Sequence, residues 1–143
     1  MNFKESEFNK NQLTQFLNAI PYVQYLDINV HKISLDCVIL KTNLEKWRLD
    51  FDQRMYINYG FIYGIVDTVA YLAILNRLRA YRPAVTLSLK IDHFTSDFSV
   101  NDLYFKAECI EIKKQYAYSY ITVYQLNKKV IANANATFLF KNT

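Results

Sequence analysis

The chain has 143 residues and a mass of 16.9 kDa, which fits one domain with one core, spanning 1–143, and leaves no room for a second. Its composition, 52% hydrophobic and 16% aromatic with twelve Tyr and ten Phe, belongs to a folded protein and excludes a disordered one. A net charge of +4 is carried on scattered Lys and Arg, with Lys113-Lys114 and Lys128-Lys129 the only adjacent pairs, too thin a basic surface for nucleic acid as a partner.

The opening Met1-Asn2-Phe3-Lys4-Glu5-Ser6-Glu7 is mixed in charge and has no apolar stretch of the kind a secretory signal carries, so a cytoplasmic location is expected. Asn11 to Ile20 places Leu13, Phe16, Leu17 and Ile20 at spacings of three and four, which predicts a short amphipathic helix over about 10–20, stopped by Pro21. Leu26 to Ser34 and Leu35 to Asn43 read as two strands joined by a hairpin around Lys32 to Leu35. Leu44 to Ile57 is polar and irregular and is expected to be a loop; it contains Asp52 and Gln53. A long helix is expected from about Tyr59 to Arg79, ended by the Arg82-Pro83 break, with Arg77 and Arg79 suited to its C-terminal dipole.

After Pro83 the period becomes two. Val85, Leu87, Leu89 and Ile91 are assigned to one face of a strand and Thr86, Ser88, Lys90 and Asp92 to the other. Strands over Asp102 to Lys113, Gln115 to Leu126 and Val130 to Phe140 follow. In the second, Tyr116, Tyr118, Tyr120 and Tyr124 form a stripe that suits a packed or subunit-contact face; in the third, Ala132, Ala134 and Ala136 let a helix come close. Six strands and one dominant helix predict an α+β domain in which an antiparallel sheet wraps around the helix.

Both glycines of the chain, Gly60 and Gly64, fall in Asn58-Tyr59-Gly60-Phe61-Ile62-Tyr63-Gly64-Ile65-Val66-Asp67, at a four-residue spacing that puts them on one helix face. From Phe61 to Leu75 nearly every residue is apolar, so Asp67 is expected to be buried, and a buried carboxylate persists where it has a partner or a task. The same run falls short of the roughly 20 residues that span a bilayer and contains a charge, so no membrane span is expected. Asn58 is a strong helix N-cap residue. Cys37 and Cys109 have no metal-ligand spacing and read as buried free thiols; His31 and His93 stand isolated in sequence.

This order of elements, with Ala19-Ile20-Pro21-Tyr22-Val23-Gln24-Tyr25-Leu26-Asp27-Ile28, the run from Tyr59 to Ala70 and the strand Val85 to Asp92, resembles the hotdog-fold thioesterases of the PaaI-like type over residues 16 to 140. Members typically read His-Gly-Gly, six further residues, then Asp or Glu followed by Thr or Asn. Here Asn58 stands in the histidine slot, Tyr59 and Gly60 in the glycine slots, and Asp67-Thr68 ends the motif.

The resemblance implies hydrolysis of an acyl- or aryl-CoA thioester, or of an acyl-carrier thioester, with no cofactor apart from the coenzyme A of the substrate. It implies a backbone amide at Tyr59 polarising the carbonyl, Asp67 activating water or attacking directly, Asp52 or Gln53 near the substrate, and a helping hydroxyl at Thr86. It also implies a dimer or a tetramer, and geometry agrees. Tyr59 and Asp67 lie eight residues apart, about 12 Å along a helix, whereas one carbonyl must lie within about 3 Å of both donor and acid. Two antiparallel helices across a two-fold axis meet that condition. The alternatives are a hotdog module that binds acyl thioesters without turnover, and a cone-shaped barrel of the NTF2-like kind, which usually begins with several helices where one is predicted here.

Overall fold

The computed structural model describes residues 10–51, 54–57, 59–95 and 102–142. Helix α1 (Lys10–Ala19) buries Leu13 and Leu17, one turn apart. Pro21 ends it and at once opens α2 (Pro21–Leu26), so the chain re-enters a helix where the sequence predicted only a stop. The reason is that Pro lacks an N–H, which the first helical position does not need, and its φ is already helical. Asp27, in the left-handed region at φ 49°, closes α2. Strand β1 (Asn29–Ile33) consequently starts three residues later than expected, and β2 (Val38–Asn43) follows a hairpin held by the Ser34 N–H on the Cys37 carbonyl at 2.9 Å.

The expected loop from Leu44 to Ile57 is instead a 3₁₀ turn (Leu44–Trp47) and a two-stranded antiparallel sheet, β3 (Arg48–Phe51) with β4 (Arg54–Ile57). Four residues per strand are too few for a period to show against polar neighbours.

Helix α3 (Tyr59–Leu78) ends where Arg79 turns left-handed at φ 56° and donates its N–H to the Leu75 carbonyl at 2.9 Å. Strands β5 (Ala84–His93), β6 (Asp102–Lys113), β7 (Tyr116–Gln125) and β8 (Val130–Phe140) join β1 and β2 in one antiparallel sheet of order β1-β2-β6-β7-β8-β5. Eleven of the twenty residues of α3 are buried. By length and composition α3 could cross a membrane; here it is the core helix against the sheet, approached closely by the buried Ala132, Ala134 and Ala136. Ser119, buried on β7, ties sheet to helix by donating to the Ala70 carbonyl at 2.9 Å. Ala117, Ile121 and Val123 share its inward face, and the tyrosine stripe faces out, with Tyr124 stacked on Tyr104. A six-stranded antiparallel sheet around one long helix is the hotdog arrangement.

Candidate active site

Gly60, Tyr63, Gly64, Asp67, Thr68 and Tyr71 follow one another at steps of three and one, which makes a single stripe along α3. It is the stripe that the sheet leaves uncovered: Gly60 and Tyr63 are exposed and the other four half-buried. Asp67 is therefore not buried, contrary to the expectation from its apolar neighbours. Those neighbours face the sheet, and the carboxylate lies on the opposite side with access to solvent.

Its partner comes from a register shift. On β5 the pairs run Val85↔Leu139, Thr86↔Phe138, then Ser88↔Thr137 and Leu89↔Ala136, so Leu87 is an extra residue, a β-bulge. Directly paired residues share a face of the sheet. Thr86 thus lies on the inner face with Phe138, as do Leu89 and Ile91 with Ala136 and Ala134. Strict alternation put Thr86 on the face opposite Leu89 and Ile91, and the bulge overturns that. Val85 and Leu87, expected to share the buried face, are 42% and 51% exposed. Turned inward, the Thr86 hydroxyl donates to Asp67 Oδ1 at 2.7 Å.

Around this pair is a cavity of about 270 Å³. Phe16 of α1, Ile20 at the junction of α1 and α2, and Tyr22 of α2 form one wall; Gly64, Thr68 and Tyr71 of α3 form the floor; Ala84 and Phe138 complete it beside Thr86. Tyr71 is firmly held. Its ring meets Phe16 edge-on at 5.9 Å and Phe138 at 5.7 Å, and its hydroxyl donates to the Arg82 carbonyl. Burial, with the neighbouring Tyr81 phenol adding to it, pushes the Tyr71 pKa upward, so the phenol stays a neutral donor. These apolar side chains read in sequence as core residues, and only the gap between α1, α2 and α3 makes them a pocket wall.

At the other end of the stripe, Tyr59 opens α3 and its ring stands edge-on to His93 at 4.7 Å, with Tyr63 at 6.0 Å from the same imidazole. His93, isolated in sequence, is thereby brought to the helix N-terminus by the last residue of β5. Asn58, Asp52 and Gln53 lie outside the described residues. Gly60 sits in the first turn of α3, eight residues from Thr68 and on the same stripe. Among the described residues no group of three or more His, Cys, Asp or Glu side chains could hold a metal ion, and Cys37 and Cys109 are free and buried.

Residues 55–132 match the family model of the thioesterase superfamily. No curated protein sequence matches the chain. The fold is similar to that of several solved structures at low identity. A protein from Pseudomonas aeruginosa superposes with a TM-score of 0.81 at 20% identity, covering 92% of this chain and 98% of its own. A thioesterase from Haemophilus influenzae gives 0.80 at 16%, covering 94% and 92%. The PaaI protein of the E. coli phenylacetic acid degradation operon gives 0.75 at 14%, covering 90% of each.

Proposed function

The chain belongs to the thioesterase superfamily, and from that membership we propose that it hydrolyses an acyl- or aryl-CoA thioester, in the PaaI-like manner, at a site shared between two subunits. The observation that carries this is the Asp67–Thr86 pair at the mouth of an apolar cavity: a solvent-accessible carboxylate, oriented by a hydroxyl at 2.7 Å, beside a space for an acyl group. Asp67 takes a proton from water, or attacks the carbonyl carbon itself, while Thr86 fixes which carboxylate oxygen faces the substrate.

The thioester carbonyl needs a donor that strengthens as its oxygen becomes anionic. The N–H groups opening α3, at Tyr59 and Gly60, are aimed along a helix dipole that favours such charge. They lie about 12 Å from Asp67 on the same helix, at 1.5 Å per residue, so one chain does not bring both to one carbonyl. The stripe of α3 turned away from the sheet, exposed at Gly60 and Tyr63, offers the remedy. A second α3 laid antiparallel against it sets the N-terminus of each helix beside Asp67 of the other, and the family resemblance adds Asn58, Asp52 and Gln53 as candidate substrate contacts. The reaction requires no cofactor beyond the coenzyme A of the substrate, and an acyl-carrier thioester presents the same reacting group.

One observation favours a second reading, a module that holds the thioester without cleaving it. Tyr59 places an aromatic ring, braced by His93, at the first helical position, where a smaller residue would leave more room. Purified protein assayed for thiol release against a panel of acyl- and aryl-CoA thioesters tests both. Hydrolysis well above background supports the enzyme; binding by calorimetry with hydrolysis at background supports the module and overturns the enzyme.

A further inference from the structure

We propose that Tyr22 is the specificity-determining residue of the cavity, an unanchored wall that sets how large an acyl group can enter beside Asp67. The inference rests on the thioesterase reading of the Asp67–Thr86 pair for what enters, and on the cavity's own geometry for what limits it.

The walls of the cavity differ in how firmly they are held. Phe138 is 2% exposed, and Tyr71 is fixed by ring contacts on two sides and by its bond to the Arg82 carbonyl. Tyr22 has no such anchor. It is 51% exposed, and its hydroxyl makes no hydrogen bond to another described residue. Its ring edge instead lies directly on Gly64, one turn before Thr68 and beside Asp67. A Cβ added at Gly64 would come within 2.7 Å of Tyr22 Cε1 and 2.9 Å of Cζ, with the phenolic oxygen nearer still. These are separations that only a displaced ring would relieve.

Within the chain Gly64 is the seat of the Tyr22 ring. The seat places that ring across the helical floor of the cavity and keeps the space small. A cavity of about 150 Å³ suffices for benzene, so the 270 Å³ here accepts one ring, or a short chain of similar bulk, together with its thioester. A longer acyl chain meets Tyr22. Because no hydrogen bond to another described residue holds the ring, replacing it opens the cavity without disturbing the fixed walls.

The test measures kcat/KM for acetyl-, hexanoyl-, decanoyl- and phenylacetyl-CoA with the wild-type protein, Tyr22→Ala, Tyr22→Trp and Gly64→Ala. In parallel, calorimetry measures binding of the non-hydrolysable thioether analogues of the same series. Tyr22→Ala is expected to raise the decanoyl-to-hexanoyl ratio at least tenfold, and Tyr22→Trp to lower the phenylacetyl-to-acetyl ratio. Gly64→Ala should move the profile in the same direction as Tyr22→Ala, because the new methyl expels the ring, and combining the two should add little. An unchanged profile in Tyr22→Ala with hydrolysis intact overturns the proposal and leaves the thioesterase reading standing. Thioether binding whose chain-length order follows residue 22, with no hydrolysis by any variant, overturns the thioesterase reading and leaves the role of Tyr22 standing. Absence of both hydrolysis and thioether binding overturns both.

Discussion

Replacing Asp67 by Asn separates a chemical role from a structural one, because the structure makes the two costs very different. Thr86 donates to Asp67 Oδ1 at 2.7 Å, and the amide oxygen of Asn accepts that hydrogen bond from the same place. The side chain is half-buried and reaches solvent, so a neutral amide there strands no buried group. The expected change in stability is within about 0.5 kcal/mol, or about 2 °C in Tm for a chain of this size. Loss of a general base costs about 10²- to 10⁴-fold in rate, which at about 1.4 kcal/mol per decade is roughly 3 to 5.5 kcal/mol of barrier.

Thiol-release kinetics and a melting curve on the same preparation therefore read two effects that differ at least fivefold in free energy. The expected result is kcat down by at least 10²-fold, KM little changed, and Tm preserved. Thr86→Val should give a smaller loss, about tenfold, since it removes a single hydrogen bond to a charged acceptor, and Thr86→Ser should restore most of it. A kcat for Asp67→Asn near that of the wild type refutes the catalytic role. A fall in Tm of many degrees together with activity shows a structural carboxylate instead.

Light scattering at micromolar protein should give a mass of at least twice 16.9 kDa, because one α3 does not supply both the amide and the acid; a clean monomer removes the shared site. Asn58→His combined with Tyr59→Gly should raise kcat/KM toward a short acyl- or aryl-CoA, despite about 1 kcal/mol of helix stability lost to the glycine. A double variant that changes ligand affinity while hydrolysis stays at background points to the binding module. Ser119→Ala should lower stability by about 1 kcal/mol, since the Ala70 carbonyl loses its side-chain donor but keeps its place in the helix. Chemical denaturation that shows no change in midpoint would mean that this buried bond does not tie helix to sheet.

The elements that carry a sustained period, α1 and the strands β6 to β8, were legible in the sequence, with the alanines of β8 turned to the helix and the tyrosines of β7 turned away, and α3 was legible from its long apolar run and the Arg82-Pro83 break that ends it. Short elements were not. Pro21 signals a helix stop and a helix start equally well, and β3 and β4 are fixed by pairing with each other, which no window of four residues reveals. The motif around Asp67 identified the family, yet the all-apolar run hid the fact that one stripe of α3 is turned away from the sheet.

Thr86 shows most clearly where reading a single strand fails. Alternation along Val85 to Asp92 counts every residue once, whereas the pairing with β8 passes over Leu87. One unpaired residue reverses the face of everything before it, moves the still-exposed Thr86 to the face that meets α3, and turns Val85 away from it. A β-bulge bends its strand as well as shifting it, so the hydroxyl is re-aimed at the helix at the same point where the apolar pattern is broken. The exposed Val85 and the threonine turned to the helix are thus one event with one cause. The site depends on a register that only the partner strand can specify.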